Sequence, residues 1–250
     1  MKRRSSHYFI RKTHRYLGIF IGIQFLAWTI GGLYFSWTNI DRVHGDLEHK
    51  YVPLLGSNIS LVSPDLVIKN ISLQQQVDSI KSLEVVKILK QPFYSISFYS
   101  EKNLHHLLAE AQTGNLRDPV SKAEAIRIAE ESFAPSSKVK SVEYITEANG
   151  HHEYRENPLP AWAVTFDHSS RTTVYVSANF GRVEDFRNGS WRIFDFLWMM
   201  HTMGYKERDD LNNLLLQIFS ITGLITVLSG FTLYFVSSRR IRRLLYGKTI

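Results

Sequence analysis

The chain has no cysteine among its 250 residues. Disulfides, thiolate zinc sites, iron–sulfur clusters and thiol nucleophiles are therefore excluded. It also has no Gly-x-x-x-x-Gly-Lys-Ser/Thr loop, no Gly-x-Gly-x-x-Gly turn and no Ser/His/Asp order worth reading as a triad, so nucleotide chemistry and triad hydrolysis have no support. Acidic residues are missing from both ends. Residues 1–16 carry six basic side chains, and residues 237–250 carry five (Arg239, Arg240, Arg242, Arg243, Lys248), with no acid in either stretch. The net charge of +7 thus sits at the termini, and the middle of the chain is mildly acidic. That distribution argues against a nucleic-acid partner once the neighbouring segments are considered.

Charge of either sign is absent from two long runs. "YLGIFIGIQFLAWTIGGLYFSWT" (16–38) follows the first basic block, and "LLLQIFSITGLITVLSGFTLYFV" (214–236) precedes the second. They account for a mean hydropathy of only −0.16 in a chain that is 21% charged. Each is long enough for a helix to cross ~30 Å of hydrocarbon. Aromatic residues near their ends (Tyr16, Tyr34, Trp37, Tyr234, Phe235) suit the headgroup layer. A cleaved signal peptide would have a shorter apolar core and a small-x-small site, which "FSWTNIDR" lacks. The basic flanks predict both termini in the cytoplasm and the intervening segment outside. Glycines on both runs, Gly18, Gly22, Gly31, Gly32, Gly223 and Gly230, are expected to let the two helices approach closely.

The intervening segment repeats itself. Pro92, Tyr94, Ile96 and Phe98 match Pro160, Trp162, Val164 and Phe166 at a spacing of 68, and Gly114, Leu116 and Asp118 match Gly181, Val183 and Asp185 at 67. Each half reads as a hairpin ending in a glycine turn. A helix signal stands ahead of each: Ser63 as N-cap with Pro64 at the first helical position, and a capping box of Ser121 with Glu124. One helix followed by antiparallel strands, written twice, predicts a small α+β layer.

The tandem unit ending in "YVSANFGRVEDF" resembles the PepSY domain. "HRYLG" (14–18) at the mouth of the first run and "FLWMMHTMGY" (196–205) before the second are similar to the helix-opening motifs of PepSY-associated membrane proteins. The resemblance implies an α+β chain: a two-helix transmembrane hairpin presenting two tandem PepSY-like units. Its expected parts are a basic N-terminus (1–15), a first span (16–38), two units (39–119 and 120–189), an interfacial aromatic segment (190–210), a second span (211–236) and a basic tail (237–250). The bacterial inner membrane is the expected location, with the central domain periplasmic. Some longer members resemble ferric-siderophore reductases that carry haem between four helices. This chain has two spans, so a complete haem bundle implies a homodimer or another membrane subunit. Other members resemble regulatory or inhibitory modules, which leaves a non-enzymatic interaction module as the second reading.

Of ten histidines, His105, His106, His151, His152 and His168 belong to the outer segment. Neighbours on a strand point to opposite faces, so an adjacent pair there cannot chelate one ion. His14 and His201 stand at the mouths of the spans, where the resemblance implies ligation of haem b; at opposite ends, ~30 Å apart, they cannot share one iron. His44 is a partner for His201 at an outer haem. His7, or His14 of a second copy, is a partner for His14. Met199, Met200 and Met203 are alternative outer ligands. Glu207, Asp209 and Asp210 read as a solvated lip before the second span. The implied chemistry is that of a haem-dependent ferric reductase component acting on a ferric chelate, its electron donor unseen.

Overall fold

The computed structural model describes residues 6–208 and 210–238, which fall into two compact units. One comprises residues 39–193, and the other the segments on either side of them. The fold is α+β.

The unit of residues 39–193 opens with a short helix α2 (Ile40–His44) and a 3₁₀ turn (Asp46–Glu48). It then builds the same architecture twice. Helix α3 (Pro64–Ser72) precedes a sheet ordered β1 (Ser79–Ile88), β2 (Gln91–Ser100), β3 (Asn103–Glu110), β4 (Leu116–Arg117). Helix α4 (Lys122–Ser132) precedes β5 (Val139–Ile145), β6 (Ala161–Phe166), β7 (Thr173–Ser177), β8 (Val183–Arg187). All pairings are antiparallel. Both helix starts follow from their caps. Ser63 Oγ accepts from the Asp65 N–H, and Ser121 and Glu124 form the reciprocal capping box.

The likeness extends to single hydrogen bonds. The Ala111 N–H donates to Pro92 O, as Ala178 does to Pro160. Gly114 and Gly181 occupy the left-handed region at φ +77° and +64° and donate to Glu110 and Ser177. The first strand of each sheet bulges at one lysine: Lys81 and Lys140 have no partner in the register. In β2, Tyr94, Ile96 and Phe98 are buried against Val67 and Ile71 of α3; in β6, Val164 and Phe166 are buried, with Trp162 half-buried beside them, against Ala125, Ile128 and Ala129 of α4.

The opposite face of the first sheet, through Ile88, Phe93 and Leu108, joins the same core as α4 and the second sheet. The layers therefore run α3, sheet, α4, sheet, and the two repeats share one interior. Gly181 lies at a tight contact between them: a Cβ there would lie 2.3 Å from Ile88 Cδ1. The outer face of the second sheet is closed by the loop that carries Tyr154 and Leu159.

In the other unit, α1 (Ser6–Trp37) and α6 (Leu214–Ser237) pair antiparallel. Phe20 stacks on Phe219 at 5.2 Å, while His14, farther back on α1, meets Ser229, farther on along α6. Helix α5 (Gly189–Thr202) crosses from one unit to the other, and its residues from Phe194 onward belong here. Both long helices are long and apolar enough to cross a membrane. A helix in the core of a soluble protein would be enclosed by protein. Here Leu214, Leu224 and Phe231 are 70%, 61% and 58% exposed. Three hydroxyls along α6 are satisfied internally: Thr222, Thr226 and Thr232 each donate to the carbonyl four residues back. Such bonding leaves no free hydroxyl proton at those three positions, which suits an apolar surrounding. Helix α1 begins ten residues before its apolar run, so Arg11, Lys12 and Arg15 are helical.

Candidate functional site in the paired apolar helices

His14 lies on the face of α1 that meets α6. Its Nδ1 is 2.7 Å from Ser229 Oγ. The Ser229 hydroxyl proton is already donated to Thr226 O at 2.7 Å, so the serine oxygen accepts and the imidazole Nδ1–H donates. That leaves Nε2 outside any hydrogen bond among the described residues. Gly230 provides the room, since a Cβ there would come within 3.2 Å of His14 Cε1. A donated Nδ1–H fixing ring and tautomer is the arrangement usual for a metal-ligating histidine. Ser229 is eight residues from the end of α6, so His14 meets that helix about 12 Å from its end.

His201, near the end of α5, sits in an aromatic collar. Its ring centroid is 5.4 Å from Trp28, 6.3 Å from Phe35 and 6.3 Å from Trp198. His201 Nδ1 and Trp28 Nε1 are both buried without a hydrogen-bond partner. Each such group costs roughly 1–3 kcal/mol unless something occupies it. Gln24, one turn along α1, donates to Met200 O at 3.0 Å and ties α5 to the helix pair. Because His201 lies against Trp28, it is 14 residues from His14 along α1, or about 21 Å. The two histidines are thus closer than the full span expected, yet still too far apart to share an iron.

Between these levels runs an apolar groove of about 700 Å³, lined by Gly18, Gly22, Trp28, Phe219 and Gly223 among others. The glycines do not serve the close approach expected of them. A Cβ on Gly18, Gly22, Gly32 or Gly223 would meet nothing within 4 Å, and Gly31 faces only the ring of Phe35. They leave open space, and only Gly230 is pressed, by His14.

The remaining candidates separate. His44 belongs to the other unit, where it is exposed at the end of α2 and lines a small cleft with Asp46, His49 and Glu184. The side chain of His7 and all of Asp209 lie outside the described residues. Asp210 accepts from the Asn212 N–H, just ahead of the α6 N-cap Asn213. Met199 and Met200 are half-buried and Met203 is buried. His105 and His106 face opposite sides of their sheet, one stacked on Phe98 and the other bonded to Ser97 Oγ at 2.8 Å. Among the described residues no group of three or more His, Asp or Glu side chains is placed to hold a bare ion. Sequence reading missed Ser229, Trp28 and Gln24, and it named Gly230 without its contact to His14. Gln24 had a local signal, as a polar amide in an apolar run.

No family model, curated protein or solved structure matches the chain. What its own geometry defines is an α+β protein with two membrane-length apolar helices, an apolar groove between them, and two histidines at separate levels, His14 against Ser229 and His201 against Trp28.

Proposed function

We propose that this chain is a PepSY-like membrane protein that holds haem b against its paired apolar helices and passes electrons toward an acceptor such as a ferric chelate outside the cytoplasmic membrane. The observation that carries the reading is His14, with Nδ1–H committed to Ser229 and Nε2 left over. His201, with its orphaned Nδ1, and the glycine-walled groove are the second and third supports. His14 would hold the iron from one side and Ser229 would keep its imidazole oriented. His201 would serve the outer end, and Trp28, Phe35 and Trp198 would exclude water there. Bound haem supplies a one-electron couple at iron. A second copy or another subunit would complete the ligation. The basic ends favour cytoplasmic termini and an exported central domain.

A regulatory module that takes a peptide by strand addition has less behind it. The edge strands β1 and β5 each carry a lysine bulge and further charges, features that discourage pairing.

The test is spectroscopic. Full-length protein purified from haem-replete cells should show a low-spin haem spectrum. His14→Ala and His201→Ala should each abolish or convert it, while His105→Ala should leave it unchanged. A folded wild-type protein that stays colourless after haem is added would end this reading.

A further inference from the structure

The unit of residues 39–193 carries a polar pocket of about 610 Å³ that the electron-transfer reading does not use. Its walls come from three places: the α2 segment, the β6–β7 turn and the first turn of α5. They are tied together by hydrogen bonds. Asn188 caps α5 through the Trp191 N–H and also donates to Arg42 O, and the Gly189 N–H donates to Ser170 O. Arg192 makes a bidentate pair with Glu153 at 2.5 and 2.8 Å and donates to Arg171 O, so its charge is balanced in place. Glu48, the acid in the pocket lining, is occupied as well: Thr172 donates to it, and Ser170 and His168 continue that chain.

Two guanidinium groups are left over. Arg42 and Arg171 are exposed, line the pocket, and use neither side chain in a hydrogen bond or ion pair among the described residues. Beside them the lining includes two large apolar side chains open to solvent, Leu47 at 61% and Ile193 at 52%, with Ile40 at 47% on the same α2 segment. Unpaired arginines next to exposed aliphatic side chains are the composition of a membrane-surface contact. The chain path agrees. Arg42 follows the end of α1 at Trp37 by five residues, a reach of at most about 18 Å. Ile193 directly precedes the α5 residues that belong with the apolar helices. One connection to the spans thus leaves from a residue of this pocket, and the other reaches it within five residues.

We propose that this pocket takes the phosphate of an anionic phospholipid headgroup, with Arg42 and Arg171 as its forked donors and Leu47 and Ile193 resting on the acyl boundary. The proposal rests on the membrane reading of the two helices, but not on haem. It is tested with full-length protein exchanged from detergent into nanodiscs of phosphatidylcholine containing phosphatidylglycerol. The readouts are hydrogen exchange in residues 168–171 and phosphatidylglycerol retained per protein. Arg42→Gln combined with Arg171→Asn, asparagine being chosen because it tolerates the left-handed backbone at 171 (φ +54°), should weaken retention by roughly tenfold and remove the protection. A Lys69→Ala and Lys90→Ala control should not. Equal retention and protection in wild type and the arginine variant, with equal melting profiles, would overturn the proposal. So would binding of inorganic phosphate in detergent without lipid enrichment, which would mark a free-anion site. A wild-type chain absent from the membrane fraction would instead remove the membrane reading beneath it.

Discussion

The indole Nε1 of Trp162 donates to the carbonyl of Val120 at 2.8 Å, and the phenol of Tyr94 donates to the carbonyl of Val62 at 2.7 Å. The two acceptors are the residues immediately before the helix N-caps Ser121 and Ser63. A different aromatic in each repeat pins the entry to its helix by the same bond. Trp162→Phe and Tyr94→Phe keep the ring and remove the donor, so each should cost roughly 0.5–1.5 kcal/mol of unfolding free energy. Trp162→Ala should fall short of the roughly 3–5 kcal/mol of a fully enclosed aromatic, because this ring is half-buried. Denaturant titration followed by near-ultraviolet circular dichroism would measure all three. A neutral Trp162→Phe would mean the bond contributes nothing.

Gly181 should tolerate no side chain. A Cβ meets buried Ile88 at 2.3 Å, and the backbone there is left-handed. Gly181→Ala is expected to destabilise the protein by about 1–3 kcal/mol. Adding Ile88→Val should recover part of that loss. No recovery would show that backbone strain alone is responsible.

The glycines of the apolar helices should divide sharply. Gly22→Leu or Gly223→Leu would project into open groove, so fold and expression should survive while haem occupancy falls. Gly230→Ala would press on His14 and should lower occupancy without filling the groove. Ser229→Ala should weaken haem retention by about 10–100-fold, as expected for loss of a partner that orients a ligand. Full occupancy in the leucine variants would exclude the groove as the haem site.

Stability should fall on mild acidification, in part through His106. Burial first, then the Lys81 ammonium and His105, hold its imidazole below the ordinary value of 6.5. The unfolded chain therefore takes up that proton before the folded one does. The contribution of the neutral ring is fully present above about pH 6.5 and is lost as pH falls below it. His106→Asn should flatten the dependence of the denaturation midpoint between about pH 7 and about pH 5. An unchanged slope would remove His106 as a source.

Reporter fusions give the topology. A fusion at Ile250 should report the cytoplasm and one at Asn149 the far side of the membrane, because the basic residues flanking the spans are opposed by no acid. An external C-terminus would sink the hairpin.

Much of the architecture was legible along the chain because its causes are local. Hydropathy over some twenty residues marks α1 and α6, alternation marks β2 and β6, and Ser63, Ser121 and Glu124 mark helix starts by chemistry confined to one turn. Even the repeat is local, a comparison of two short strings. The first strands β1 and β5 were harder to see, because as exposed edge strands they do not keep one buried face. The tertiary structure alone decided the pairings. His14 meets Ser229 across 215 positions, and Gly181 of one repeat meets Ile88 of the other. Of the glycines that pattern reading assigned to close packing, Gly18, Gly22 and Gly223 instead line an open groove, while Gly230 meets His14. Each depends on the rotation of one helix about its axis, or on the stacking of one layer against another. A string of residue types carries no such coordinate, since the same apolar run is compatible with every rotation until its partner helix selects one.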